Sequence, residues 1–314
     1  MKKKLISVSV SLTILGVIYW HVDMRAIGAV LAQSDPLLTV LGLGMLIPIV
    51  LLTAWRLSLL VPSGKKIPLA ESLRLILSAA VLNMVLPSKM GDLAKSVFMT
   101  QRHGLSGSLA LSLVVFEKSC DMLALLAWCV FGLVFYAGNN LFVWIMALLV
   151  GGGLVFGIAM LISMRFAKLF FLLLEHLLPE KMGSKVISLQ DSWAEMNHYI
   201  WQERRRFLWI FLFSLFLWFL NLTQMWVFIL ALQAQVPFIT NLALVPLAIL
   251  VGLIPMTFAG IGTRDAAFIA LFSPYFNAAT GAALGIFGTL RYIIPAMAGL
   301  PFFGRFVATM KMQN

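Results

Sequence analysis

"LALVPLAILVGLIPMTFAGIGTRDAAFIALF" occupies residues 242 to 272 and sets two apolar runs on either side of Pro255, Gly260, Gly262 and a charged pair, Arg264 and Asp265. Pro246 interrupts the first run and Pro255 closes it. Proline removes a backbone donor and stops a helix, so the run is expected to enter an apolar phase, break, and turn back as a short second helix. Backbone of that kind is tolerated at membrane depth only where protein buries it or where it lines a polar cavity. The stretch therefore predicts a re-entrant helical hairpin that carries charge to its break.

A second stretch has the same grammar. "LRLILSAAVLNMVLP" (73 to 87) ends in a proline and is followed by "SKMGDLAKSVF", again Gly, then an acid, then a short apolar helix. Two Gly/Pro-interrupted segments in corresponding halves point to a transporter-like site and to an inverted repeat.

The rest of the chain supplies the apolar phase. Of its 314 residues 61% are hydrophobic and 11% charged, with a mean hydropathy of +0.99, which excludes an ordinary soluble domain. A span needs about 20 apolar residues, and 37 to 55, 141 to 163 and 207 to 232 qualify cleanly. Residues 106 to 137 and 278 to 303 are long enough but carry internal charge. Residues 5 to 22, behind "MKKK", are expected to form an uncleaved first span, because "HVDMR" offers no small-residue cleavage site. The expected fold class is all-α: a polytopic membrane protein, 1 to 314 a single domain, with about six transmembrane helices and two re-entrant hairpins.

Charge placement fits that map with both termini cytoplasmic. Lys2 to Lys4, seven basic residues between Arg56 and Arg102, seven between Arg165 and Arg206, and Arg305 with Lys311 all fall in segments placed inside. The exceptions are Arg25, Lys118, Arg264 and Arg291. The net charge of +11 is then mostly topology, and no nucleic-acid partner is expected. Residues 165 to 206 form the one sizeable polar stretch, a cytoplasmic connector in which Val186, Leu189, Trp193, Met196 and Ile200 recur at helical spacing. Such a helix either lies against anionic headgroups or packs on the bundle.

The candidate site residues are the polar groups that interrupt apolar sequence. Asn83, Lys89, Asp92 and Lys95 cluster at the first break, and Thr263, Arg264 and Asp265 at the second. A helix that begins inside a membrane directs unpaired amides and its positive dipole end inward, which suits a lipid phosphate; a nearby Lys or Arg strengthens the attraction. Asp92 and Asp265 equally suit plain capping of those N-termini. In "EKSCD", Glu117 and Asp121 share a helix face and Lys118 is placed to pair with Asp121; these charges lie either at depth or at the cytoplasmic interface. Arg291 sits within the last span and calls for Glu117, Asp121 or a ligand phosphate as its partner. Cys120, Cys129 and the four scattered histidines show no metal-ligand spacing, so neither metal nor cofactor is expected. "GLVFG" (153 to 157) and "GAALG" (281 to 285) read as packing motifs.

Together, "NMVLPSKMGDLAKSVF", "EKSCDML" and "IPMTFAGIGTRDAAFIALF" resemble the three signature segments of the lysylphosphatidylglycerol synthase transmembrane family, also called flippase-like domain proteins. The first typically reads Asn, Pro, Gly and an acid, here Asn83, Pro87, Gly91 and Asp92. The second is usually Glu-Arg followed by Asp, here Glu117 and Asp121 with Lys118 in place of Arg. The third is Pro, Gly, Gly, Arg and usually Glu, here Pro255, Gly260, Gly262 and Arg264, with Asp265 in the acidic place. The resemblance implies lipid translocation between leaflets of a bacterial cytoplasmic membrane. Members with a further soluble domain transfer lysine from tRNA to phosphatidylglycerol; these 314 residues leave no stretch for one, so no enzyme activity is expected. A membrane phospholipid or lipid-linked molecule, bound by Asn83, Lys89, Asp92, Glu117, Asp121, Arg264, Asp265 and Arg291, is the expected substrate. Two other readings are an intramembrane lipid-modifying enzyme, with Glu117 and Asp121 as acid and base, and a non-transporting partner of a lipid or glycan synthase. A homo-oligomer is a further candidate assembly.

Overall fold

Asp35 starts the first long apolar run. Its carboxylate accepts the N–H groups of Leu37 and Leu38 at 2.8 and 3.0 Å, satisfying two of the amides that a helix leaves open at its N-terminus. The computed structural model of the chain describes residues 24–61, 67–84, 91–135, 141–177, 183–202, 204–253 and 261–311. Among them every regular element is an α-helix. The short α1 (Met24–Ala32) precedes Asp35; α2 (Pro36–Gly44) and α3 (Leu46–Leu60) follow it and, parted only at Met45, make one 25-residue apolar stretch.

Two shorter helices come next, α4 (Leu69–Asn83) and α5 (Gly91–His103). At 15 residues α4 is about 22 Å long, short of the roughly 30 Å apolar core of a bilayer. The long α6 (Gly107–Phe135) and α7 (Leu141–Ile162) are followed by α8 (Met164–Leu177), α9 (Gly183–Gln202) and the long α10 (Arg204–Ala231). The second short pair, α11 (Phe238–Gly252) and α12 (Thr263–Leu271), leads into α13 (Ala278–Lys311). Five stretches are long and apolar enough to cross a membrane: Pro36–Leu60, Gly107–Phe135, Val143–Ile162, Arg204–Ala231 and Ala278–Gly304. Leu37, Val40, Ile47, Leu148 and Val155 are exposed along them, as side chains that meet lipid rather than a protein core. The chain is a multi-pass membrane protein. The sixth expected span, 5 to 22, lies outside the described residues.

The two short pairs are built alike. Helices α4 and α11 both have 15 residues, both follow a proline (Pro68, Pro237), and both end on a residue of near-identical backbone, Met84 at φ −80°, ψ −14° and Leu253 at φ −81°, ψ −13°. The breaks themselves, 85–90 with Pro87 and 254–260 with Pro255, lie outside the described residues. One expectation fails: Pro246 does not interrupt its run, and α11 continues through it. Every residue from Asn241 to Ile249 is buried, so packing on α6 and α10 holds the axis where backbone propensity would not.

Each short pair packs on its own neighbours and on the opposite half. Helix α4 lies along α13, and α11 lies along α6. Both crossings are closed by a glycine: a Cβ on Gly299 of α13 would stand 2.1 Å from the Leu77 carbonyl oxygen of α4, and one on Gly132 of α6 would stand 2.1 Å from the Ala243 carbonyl oxygen of α11. Only a residue without a side chain lets backbones come this close. Gly153 and Gly157 similarly pack on Leu126 and Leu123, as their spacing suggested.

The connector resolves into two helices with different faces. On α9, Val186, Trp193 and Met196 are buried, the Ser112 hydroxyl of α6 donates to Ser192 O at 2.8 Å, and Trp193 Nε1 donates to Met160 O at 3.3 Å. The apolar stripe from Val186 to Met196 therefore packs on the bundle. Helix α8 instead leaves Leu169, Leu172, Leu173 and Leu177 exposed. Two buried apolar clusters result, one around α3, α5, α8, α9 and the first half of α6, the other around α10 to α13 and the second half of α6. The charged residues of α6 fall where the two clusters meet.

Candidate functional site

Glu117 and Asp121 stand one helical turn apart on α6, and both face Arg56 of α3. Arg56 Nη2 donates to Glu117 Oε1 and to Asp121 Oδ2, each at 3.1 Å, and Nη1 donates to Asp121 Oδ1 and, at 2.7 Å, to Ser214 Oγ of α10. The other Glu117 oxygen accepts from Lys95 Nζ of α5 at 2.7 Å. Lys95 reaches back to Asp92 at 3.3 Å; Asp92 pairs with Lys118 at 3.0 Å; Lys118 pairs with Asp121 at 3.6 Å. The chain of contacts closes on itself. Arg56, Glu117, Lys95, Asp92, Lys118 and Asp121 form a ring of alternating charge in which each member has two opposite neighbours.

Such a ring answers the cost of ionised groups in an apolar bundle. A buried charge needs a partner and hydrogen bonds for its remaining donors or lone pairs, and a cycle supplies two partners to every member. One edge is closed off: Arg56 and Glu117 are each 1% exposed and Lys95 is 0%. The opposite edge, Lys118, Asp121 and Asp92, is more open. It faces a cavity of about 230 Å³ whose wall also takes in Glu117 and Lys95, Asn83 of α4, and Arg291 and Tyr292 of α13.

Arg291 differs from the ring cations. Among the described residues it has no ion pair; its Nη2 donates to Asn221 Oδ1 of α10, and its Nε is buried without a partner. Asn83 Oδ1, on the same cavity, is likewise buried and accepts nothing.

The second charged position is self-contained. Gly262, at φ +100°, takes a backbone conformation that residues with a side chain seldom adopt. It starts α12, and its N–H donates to Asp265 Oδ2 at 3.1 Å. Arg264 donates to Asp265 Oδ1 through Nε at 3.1 Å and Nη2 at 2.9 Å, and Nη2 also reaches Gly285 O and Thr289 Oγ1 of α13, both at 3.0 Å. A Cβ on Gly285 would stand 2.6 Å from Asp265 Cγ, so the pair is seated in a groove of α13. Neither residue lines the cavity. The Arg264 guanidinium lies 5.9 Å from the Tyr292 ring, which does.

Residues 4–299 match the lysylphosphatidylglycerol synthase TM region. The chain belongs to this family. No curated protein matches it. In this member of the lysylphosphatidylglycerol synthase transmembrane family, the first two signature segments converge: Asn83, Asp92, Glu117 and Asp121 all line one cavity, together with Arg291. Among the described residues the third segment does not reach it, and Arg264 with Asp265 forms a neutral pair behind. Lys118, where the family usually has Arg, spans two carboxylates, and Asp265, where it usually has Glu, caps its helix. Lys89 lies outside the described residues.

One ring member, Arg56, escaped the sequence-based site. Arg56 counts as a cytoplasmic loop charge by position, yet it is buried on α3, and Lys95 is fully buried on α5. Two of the seven basic residues between Arg56 and Arg102 are therefore structural partners rather than topology markers. The signal for Arg56 was its flanks, "LLTAW" and "LSLL", which are as apolar as those of Arg291. No group of three or more His, Cys, Asp or Glu side chains able to hold a metal is found among the described residues.

Proposed function

We propose that this chain is a lipid flippase, moving an anionic or lipid-linked amphiphile between the leaflets of a bacterial cytoplasmic membrane without making or breaking a covalent bond. The observation that carries this reading is the cavity of about 230 Å³ walled by Asp92, Glu117, Lys118, Asp121 and Arg291 within a bundle of apolar helices. Ionisable groups in membrane segments are costly and mark substrate or ion pathways. A headgroup crossing the bilayer needs such a polar stop, while its chains stay in lipid.

The two short pairs, α4–α5 and α11–α12, act in this reading as re-entrant hairpins related by an inverted repeat, with both termini cytoplasmic. Their equal first helices, matched ends and reciprocal packing on α13 and α6 support it. Inverted repeats of broken helices are the usual frame for alternating access, in which one half rocks against the other around a fixed site.

The test is reconstitution in liposomes containing a fluorescent anionic lipid, with a membrane-impermeant quencher added outside. The protein is expected to raise the quenched fraction above the half found in protein-free vesicles. An unchanged fraction across a panel of anionic and lipid-linked substrates, with and without a pH gradient, overturns the proposal.

A further inference from the structure

Helix α8 has three different sides. Ala167, Phe171 and Leu174 turn to the bundle and pack in the apolar cluster around the first half of α6. Phe166, Leu169, Leu173 and Leu177 recur at three- and four-residue steps, which puts them in one stripe, and all four are exposed. The third side carries Arg165, Lys168, Glu175 and His176 around Leu172. A helix with a packed side, a bare apolar side and a charged side suits the boundary between hydrocarbon and water better than either phase alone.

Its place in the fold agrees. Only Ser163 parts α8 from α7, a membrane span, and Ile158 and Ile162, exposed on that span, lead into the stripe at the same four-residue step. Helix α9 lies across the same end: Trp193 Nε1 donates to Met160 O at 3.3 Å, and Asn197 Nδ2 and Trp201 Nε1 donate to Leu161 O at 2.6 and 3.2 Å. A helix running alongside α7 would spread those contacts along it. Arg204, at the start of α10, stands 4.8 Å from the Trp201 ring, and Lys168, Arg204 and Arg205 are all exposed. Tryptophan and exposed cations gather at membrane boundaries, the cations on anionic headgroups.

We infer that α8 lies in the plane of the membrane, with its leucine stripe in the hydrocarbon edge of the leaflet on the connector's side and its cations at anionic headgroups, and that the charge ring is submerged below it. The contacts of α9 set the depth. On α6, Ser108 donates to Glu195 and Ser112 to Ser192 O at 2.8 Å, so α9 also crosses the start of that helix. Glu117 and Asp121 are five and nine residues past Ser112, about 8 and 14 Å further along the axis. On α3, Arg206 donates to Leu59 O and Val61 O, the latter at 2.7 Å, and Arg56 lies about one turn deeper. Both helices place the ring at depth rather than at the interface. The inference concerns where the chain sits, and it holds whether or not a lipid crosses.

The experiment places single spin labels on introduced cysteines of the full chain in vesicles of phosphatidylglycerol and phosphatidylcholine. Cys120 and Cys129 are buried, and the parent without added cysteine gives the background. Collisions with oxygen, which concentrates in hydrocarbon, are compared with collisions with a water-soluble nickel chelate. Labels at Leu169, Leu173 and Leu177 are expected to favour oxygen several-fold over labels at Lys168 and Glu175, which should favour the chelate. A label at Met122, beside Asp121 and about 15 Å along α6 from Ser112, should escape the chelate, whereas one at Ser108 should meet it. Stripe labels that meet the chelate as Lys168 does overturn the membrane anchor. Stripe labels shielded from both reagents overturn it too, because a second copy or another protein then covers the stripe. A Met122 label as open to the chelate as Ser108 overturns the depth of the ring.

Discussion

The two short helix pairs open on matching first helices and differ in what they do with charge. In α4–α5, Asp92 and Lys95 reach outward to α6 and join charges from three helices around an open cavity. In α11–α12, Arg264 and its sequence neighbour Asp265 close on each other and on α13, and the end of α11 borders a different space. That space, about 560 Å³ between Leu250, Val251, Leu253 and the apolar side chains of α6 to α9, has little polar wall beyond Ser119. Similar helix pairs thus serve two surroundings: one half borders a polar cavity, the other an apolar recess. The difference lies in where the partner of each charge sits, across helices in the first pair and within one turn in the second.

The largest effect is expected where the partner is furthest in sequence. Glu117→Ala removes the carboxylate that two buried cations share, leaving Arg56 and Lys95 on a broken ring. Stranding a buried charge costs about 3 to 5 kcal/mol, so thermal unfolding in detergent should drop steeply. Adding Lys95→Met should recover part of the loss. An unchanged midpoint for Glu117→Ala would mean that the ring is hydrated and contributes nothing to folding.

Arg264→Ala tests the self-contained half. Asp265 would lose its cation but keep the Gly262 N–H and the favourable end of α12. The loss should be smaller, about 2 to 3 kcal/mol, since the helix terminus offsets up to about 2 kcal/mol of a stranded charge. The double variant with Asp265→Asn should restore most of it, because the amide oxygen still caps. If Arg264→Ala instead unfolds like the wild type while losing transport, Arg264 is a ligand group and the contrast between the halves is wrong.

A third pair of variants asks whether the halves are mechanically equal. Gly132→Ala and Gly299→Ala each place a methyl 2.1 Å from a backbone oxygen of the opposite half. Each should cost about 1 to 3 kcal/mol by overpacking, and by similar amounts. A large loss for one and none for the other would show that one crossing can give way and the other cannot.

How much of this was legible in sequence follows from the range of each signal. Apolar length is local, so the five described spans and both short pairs were readable from runs and prolines. Pro246 misled because a proline's effect on a helix depends on tertiary packing, which a local rule omits. Glu117, Lys118 and Asp121 were readable as one cluster from their three- and four-residue spacing. Their partner Arg56 lies 61 residues from Glu117, and no periodicity links the two. Its place near the end of an apolar run made it look like the start of a cytoplasmic loop. Arg264 was legible as an anomaly, but its nearest acid is the next residue, and sequence cannot say whether adjacent charges face each other.

Arg291 is where the smallest stability effect should carry the most information. Every ring cation has two carboxylates, so its removal leaves an uncompensated negative charge. Arg291 has none among the described residues, and its removal leaves only Asn221 without a donor. Arg291→Gln should therefore shift stability by about 1 kcal/mol or less in either direction, since an amide can still reach Asn221 and a lone buried cation is itself unfavourable. The comparison is with Lys95→Gln, measured in the same detergent, which should lose several times as much. If the two variants lose equally, Arg291 has a carboxylate partner in the native state and the two halves are equally closed. If Arg291→Gln is neutral for folding and leaflet exchange stops, Arg291 belongs to the substrate's site rather than to the fold.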